Sequence, residues 1–247
     1  MPRYKRVLVK LSGGAVAGDK GFGFDPDRLT HIADEVEALL RLGVEVAIVI
    51  GGGNIFRGNM ANEWGIGRVE ADNIGTMATV INSLMLRGVL NNRTDHEVRV
   101  MTANPINSVA EPYIRLRALH HLEKGHVIIF AGGNGQPYVT TDYPAVQRAL
   151  EMEADAILVA KHGVDGVLNG DPRILAKTKL YESLSYDDVI RQGLKVMDQS
   201  AIILARDYAL PIHVFNFDKK HVMKRICEGE NLGTLVSDQV GTVLSSH

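Results

Sequence analysis

One cysteine, Cys227, stands among 247 residues, so no disulfide can close within the chain, and this usage fits a reducing compartment. Long apolar runs are missing too, since nothing approaches the roughly 18 consecutive apolar residues of a membrane-spanning helix. The opening "MPRYKRVLVKLSGG" is basic and then briefly apolar, too short and too interrupted for the apolar stretch of a secretory leader. Charge of one sign is concentrated nowhere. The 27 Lys and Arg face 29 Asp and Glu, a formal net charge of -2, with no block of like charge to grip nucleic acid or a membrane surface. Internal repeats, low-complexity tracts and linkers rich in Pro, Gly and Ser are absent as well. The chain reads as a cytoplasmic protein of one compact unit, whose partners are small molecules or other subunits.

What is present is an alternation. Short β-rich runs recur at 6–11 ("RVLVKL"), 44–50, 97–103, 126–131, 155–160 and 211–217, several of them almost continuously apolar, as strands covered on both faces should be. Between them lie helical patterns. In "DPDRLTHIADEVEALLRLG", Asp25 caps, Pro26 suits the first helical position, and Leu29, Ile32, Ala33, Val36, Leu39 and Leu40 share a face before Gly43. A second helix is expected over about 70–90, and others near 109–124, 143–153 and 198–209. Such βαβ units imply an α/β fold with right-handed crossovers and a mainly parallel sheet, and ligands at the C-terminal strand edge.

Three strands run into glycine-rich turns: "VKLSGG" (9–14), "VIGGGN" (49–54) and "FAGGNGQP" (130–137). Glycine admits positive φ and lets an anion approach main-chain N–H groups. One such loop is as easily a simple turn; three at strand ends point to phosphate. The chain has no G-x-x-x-x-G-K-[ST] motif, and "GGGNIF" lacks the third glycine of a dinucleotide fingerprint. Lys10, two residues before the first loop, is either a phosphate contact or a solvated lysine. Arg57, after the second, offers a planar fork suited to phosphate oxygens, with a surface salt bridge as its alternative. Asp142 follows two threonines, where it suits a helix N-cap. Asp171, before Pro172, reads equally as a turn former, and Asp198 as a cap. No nucleophile–base pair stands out, and His120 and His121 lack metal-ligand spacing on a helix.

Taken in order, "YKRVLVKLSG" (4–13), "GDKGFGFD" (18–25), "VIGGGNIFRG" (49–58), "ADNIGTMATVIN" (71–82), "YVTTD" (138–142), "EADAILVAKHGVDGVLNGDP" (153–172), "YESLSY" (181–186), "LKVMDQSA" (194–201), "LARD" (204–207) and "LPIHVFNF" (210–217) resemble the bacterial uridylate kinases of the amino acid kinase family over nearly the whole chain. The resemblance implies an open, mainly parallel sheet between helices in a single domain over 1–247, its part to about 150 binding the acceptor UMP and its part from about 151 binding ATP. It implies catalytic roles for Lys10, Arg57 and Asp142. ATP contacts would come from Lys10, Leu11, Ser12, Gly13, Gly53, Arg57, Lys161 or His162, Leu168 and Asp171. Gly52, Asp72 and the segment Asn134, Gly135, Gln136, Pro137, Tyr138, Val139, Thr140 and Thr141 would take UMP. Gly18, Asp19, Lys20, Gly21, Phe22 and Gly23 would form a region answering the activator GTP, in a homohexamer inhibited by UTP. Mg2+ would arrive with ATP, held mainly through its phosphates rather than by protein ligands.

Three departures stand out. Gly14 replaces the acid of the family's K-L-S-G-E. Tyr143 and Pro144 follow "TTD" where many members carry small residues, and "AGGNGQP" is one residue longer than the common form. These leave open a non-catalytic nucleotide- or anion-binding member, and an amino acid kinase such as acetylglutamate kinase is a second alternative. If UMP is the acceptor, its phosphate has a second pKa near 6 and is largely a dianion at neutral pH, so no general base is required.

Overall fold

The computed structural model describes residues 1–170 and 178–245. The apolar runs become strands and the amphipathic runs helices, in the order β1 (Arg6–Leu11), α1 (Gly14–Ala17), a 3-10 turn (Gly18–Lys20), α2 (Pro26–Arg41), β2 (Glu45–Ile50), α3 (Gly58–Glu63), α4 (Arg68–Asn91), β3 (Val98–Thr102) and β4 (Glu111–Pro112). There follow α5 (Arg115–Glu123), β5 (Val127–Ala131), α6 (Asp142–Glu151), β6 (Ala156–Lys161), β7 (Tyr181–Leu184), α7 (Tyr186–Gln192), α8 (Gln199–Asp207), β8 (Ile212–Asn216), α9 (Val222–Cys227), β9 (Thr234–Val236) and β10 (Val243–Leu244).

Among the described residues the strands form one sheet in the order β10-β7-β9-β8-β6-β1-β2-β5-β3-β4. It is parallel except where β9 meets β8 and β10 meets β7. The chain winds outward from β1 in one direction through β2, then returns to β6 on the other side of β1, so the switch in winding lies at the β1–β6 pair. In such sheets the ligand crevice lies beyond the carboxyl ends of the strands at that switch.

Strand parity decides which side each residue serves. Val7, Val9 and Leu11 of β1 pack with Leu29, Ile32 and Val36 of α2, Leu86 of α4 and Ile226 of α9. Leu8 faces the opposite layer, with Ala118 and Leu122 of α5, Val146 and Ala149 of α6 and Ile202 of α8. Lys10 shares the parity of Leu8, so its side chain leaves the sheet on the α6 side, at the end of the strand.

Asp25 caps α2 as the sequence implies, accepting from the N–H groups of Asp27 and Arg28 with Pro26 at the first position. The helix expected from 109 begins instead at Arg115. Pro112 has no N–H to give and disfavours helix in the residue before it, so Glu111 and Pro112 become a short edge strand beside β3.

Candidate active site

β1, β2 and β5 are adjacent, so the three glycine turns come together along one stretch of the sheet edge. The first two turns touch: a Cβ on Gly13 would stand 2.6 Å from the main-chain nitrogens of both Gly53 and Asn54. Helix α4 closes on the second turn, where a Cβ on Gly52 would meet Ala78 Cβ at 2.7 Å and the Gly75 carbonyl at 2.8 Å. The third turn needs its glycines for another reason, since Gly132, Gly133 and Gly135 all have positive φ, at 75, 56 and 79°. Its Gly132 N–H donates to Thr79 Oγ1 at 2.9 Å, joining it to α4. Among the described residues, the N–H groups of Gly13, Gly52, Gly53 and Asn54 have no protein acceptor. Consecutive donors left over at a strand end form a nest for an anion.

Lys10 meets this nest from β1. Its ammonium lies 2.6 Å from Asp142 Oδ1, and both side chains are largely buried, 12% and 15% exposed. Asp142 is the first residue of α6, after Thr141, so it is not the helix cap considered from sequence. Its second oxygen accepts the Asp198 N–H at 2.9 Å. Both carboxylate oxygens are therefore engaged, the arrangement of an organiser rather than of a proton acceptor. Asp198 occupies the N-cap position of α8, as its cap reading expects, but its side chain makes no cap bond; its carboxylate accepts from the Thr140 hydroxyl. Lys161, at the end of β6, donates to the Val196 carbonyl at 3.0 Å. Burial, then the charge of Lys10, hold its ammonium below the usual lysine range, with Asp142 acting in the opposite sense. Two lysines and one aspartate thus share the switch point.

Arg57 folds back over the second turn, donating to the Gly53 carbonyl at 2.9 Å and the Gly21 carbonyl at 3.1 Å. Beside it opens a cleft of about 410 Å³. Of the residues expected for the acceptor, Gly52, Asp72, Asn134, Gln136, Val139, Thr140 and Thr141 line it, joined by Phe56, Thr76 and Thr79. Gly135, Pro137 and Tyr138 do not. Tyr138 serves indirectly: its N–H donates to Asp72 Oδ2 at 2.7 Å, its φ is 66°, and Arg68, paired with both oxygens of Asp72, lies over its ring.

The remaining expected residues lie apart. Leu168 forms a β-bridge with Leu180, and Asp171 falls outside the described residues. Lys161 and His162, neighbours in sequence, diverge: Lys161 turns toward Lys10 and Asp142, whereas His162 joins Arg28 and Asp218, its Nδ1 2.8 Å from Asp218 Oδ1. Burial would raise the Asp218 carboxyl, but hydrogen bonds from Arg28, the Gly163 N–H and His162 bring it down to about 2. Asp19 reaches the same cluster, 3.5 Å from His162 Nε2. The 18–23 segment is tied to the second glycine turn through Arg57 and through Asn54, whose carbonyl accepts the Gly23 N–H at 2.9 Å.

Thr79, Asn54 and Asn82 were not picked out from sequence. Asn82 carries a readable signal, an amide between Ala78 and Leu86 on the buried face of α4. Thr79 carries none, since a helical threonine beside an alanine is unremarkable in composition. No three carboxylates, imidazoles or thiolates converge on a metal-sized space among the described residues. Among the described residues no helix is long and apolar enough to cross a membrane.

The model of the amino acid kinase family matches residues 5–216. A protein named uridylate kinase from Frankia casuarinae is 60% identical over 96% of this chain and 92% of its own, and one from Frankia alni is 58% identical over 98% and 94%. Among solved structures, the UMP kinase of Bacillus anthracis matches with a TM-score of 0.95 at 64% identity, covering 98% of this chain and 99% of that one. The UMP kinase of Ureaplasma parvum matches at 0.89 and 34% identity, covering 96% and 100%.

Proposed function

The chain belongs to the amino acid kinase family, and from that membership we propose that it transfers the γ-phosphoryl group of ATP to UMP, giving UDP and ADP. The observation that carries this reading is the meeting of Lys10 with Asp142 beside unpaired main-chain donors, at the head of a cleft lined by Gly52, Asp72 and Thr140. The four relatives, all named for UMP or uridylate phosphorylation, supply the acceptor's identity. The acetylglutamate alternative has no comparable support, and retention of Lys10, Arg57 and Asp142 speaks against a member without chemistry.

A UMP phosphate oxygen attacks the γ-phosphorus while the bond from that phosphorus to the β–γ bridging oxygen breaks, and ADP leaves with the electron pair. The UMP dianion needs no base. The chain's work is to bring two repelling anions into line and to neutralise charge on the moving group. Lys10 and the N–H groups of Gly13 and Gly53 face the ATP phosphates in this reading, and Arg57 spans the two substrates. Asp142 keeps the Lys10 ammonium in place. Asp72, lining the cleft, contacts the acceptor UMP in this reading. Mg2+ would accompany ATP on its phosphates and would supply part of the charge neutralisation. Lys161, rather than His162, is the better placed of the two to act at the centre.

Further parts of the reading have more local support. Met77, Ile81 and Met85 form an exposed apolar stripe on α4, which supports self-association, here taken to be a homohexamer. The anchoring of 18–23 by Arg57 supports a route by which GTP at that segment raises turnover, with UTP opposing it. The cytoplasm, where both nucleotides are made, is the proposed location.

The test is a turnover screen with MgATP across UMP, CMP, acetylglutamate and carbamate. UMP should be phosphorylated well ahead of CMP, and turnover of a non-nucleotide alone would overturn the reading. GTP and UTP titrations of the same rate and a light-scattering mass test regulation and assembly.

A further inference from the structure

Asn82 lies in the middle of α4 on its buried face, and neither it nor Asn54 exposes any surface. Its neighbours on that face, Ala78, Leu86 and Leu90, are apolar and buried, so packing alone would be served by another apolar side chain. Instead the two amides form a closed set. Asn82 Nδ2 donates to the Gly51 carbonyl at 2.7 Å and to Asn54 Oδ1 at 2.6 Å. Asn54 Nδ2 donates to Asn82 Oδ1 at 3.1 Å and to the Gly23 carbonyl at 2.9 Å. Each primary amide thus spends both of its N–H bonds, and each side-chain oxygen accepts one from its partner.

The consequence falls on the second glycine turn. In a trans peptide the carbonyl and the following N–H point in opposite directions. By drawing the Gly51 carbonyl toward α4, Asn82 turns the Gly52 N–H the other way. By gripping the Asn54 side chain, it also fixes the residue whose own N–H, with that of Gly53, packs against Gly13. Of the main-chain donors with no protein acceptor among the described residues, those of Gly52, Gly53 and Asn54 are the ones this pair orients. Glycine by itself leaves such a turn free to reorient, so a run of three glycines needs an outside constraint.

Resting on the reading of the chain as a UMP kinase, we propose that Asn82, acting through Asn54, is a positioning residue for phosphoryl transfer, holding the Gly52–Asn54 main-chain donors in the orientation the transition state requires. It touches neither nucleotide. The acceptor cleft is lined by Gly52 and Gly53 of this turn but also by Asp72, Thr76 and residues of the 134–141 segment, none of which bonds to the pair, so loss of the pair acts mainly on turnover and changes acceptor affinity much less.

The experiment compares the wild-type enzyme with Asn82→Ala, Asn54→Ala and the double variant, each checked for folding by circular dichroism and thermal melting. Steady-state rates are taken with MgATP and UMP well below the melting temperature. Misplaced catalytic groups commonly cost on the order of 100-fold. The expectation is a 10- to 100-fold fall in kcat for each single variant, with KM for UMP within about threefold. The double variant should be no slower than the worse single one, because the amides act as a unit. A merely structural role would lower the melting temperature and leave kcat intact. A folded Asn82→Ala with kcat within twofold of wild type, or losses that multiply in the double variant, overturns the proposal. Should Asn82→Ala fail to fold, Asn54→Ser applies the same criterion. Absence of UMP turnover in the wild type would remove the kinase reading and this proposal together, whereas an active wild type with unchanged variants removes this proposal alone.

Discussion

The Lys10 ammonium lies 2.6 Å from Asp142 Oδ1, binding a central strand of the sheet to the first residue of α6. Because Asp142 is also held by the Asp198 N–H, the lysine is fixed from a carboxylate that itself cannot drift. Lys10→Ala should lower kcat by about 100- to 1,000-fold, the usual cost of one preorganised positive donor, with KM for UMP nearly unchanged. Asp142→Ala should cost a similar factor, and the double variant little more than either, since the residues act together. Steady-state kinetics of the three variants check this, and a near-normal Lys10→Ala would refute its role.

Neighbouring glycines in the second turn separate folding from chemistry. Gly52→Ala drives a methyl into Ala78 and the Gly75 carbonyl, and overpacking of this kind costs about 1–3 kcal/mol, which lowers Tm by several degrees. Gly53→Ala meets no atom within 4 Å and needs no positive φ, so its Tm should stay within about 1 °C. Its turnover should nevertheless fall, because ATP phosphate approaches there in the proposed reading. Paired melts and rates on the two variants decide it; an active Gly53→Ala would move the phosphate elsewhere.

Asp72 bridges α4 to the 138 main chain while facing the cleft. Asp72→Ala should raise KM for UMP by about tenfold or more with a smaller change in kcat, the pattern of lost binding rather than lost transition-state contact. The opposite split would place Asp72 in the chemistry.

His213 is buried in β8, its Nε2 2.8 Å from the Tyr4 hydroxyl. Burial, then the charge of Arg3, push its pKa from 6.5 down to about 4. Above pH 6.5 the imidazole is neutral in both states and carries no penalty. Between 6.5 and about 4 only the unfolded chain takes up the proton, so stability falls with pH, by about 2 kcal/mol at pH 5. Urea unfolding at pH 7 and pH 5 should show His213→Gln losing about that much less than wild type. An equal loss in both would place the pH dependence elsewhere.

Periodicity made the six principal strands and α2 legible almost to the residue, because apolar runs such as "RVLVKL" have both faces to cover and Asp25-Pro26 announces a helix start. The short strands toward the β10 end of the sheet were not legible. Thr234–Val236 and Val243–Leu244 are too brief for any period, and their pairing is set by neighbours distant in sequence. At the site, the glycine turns and Lys10 were readable as types, but their convergence depends on β1, β2 and β5 being adjacent, which only strand order supplies. The resemblance brought Asp72 and Asp142 into view. It did not show why Lys161 and His162 part company: successive residues at a strand end point to opposite sides, and β6 sends the lysine toward Lys10.

The most direct measurement is a crystal structure with UMP and a non-hydrolysable ATP analogue bound together. The predicted result has the γ-phosphate on the Gly13 and Gly53 N–H groups and Lys10, with the UMP phosphate in line from the cleft beside Arg57. Both nucleotides ordered elsewhere, with neither phosphate chain against those turns, would contradict the account.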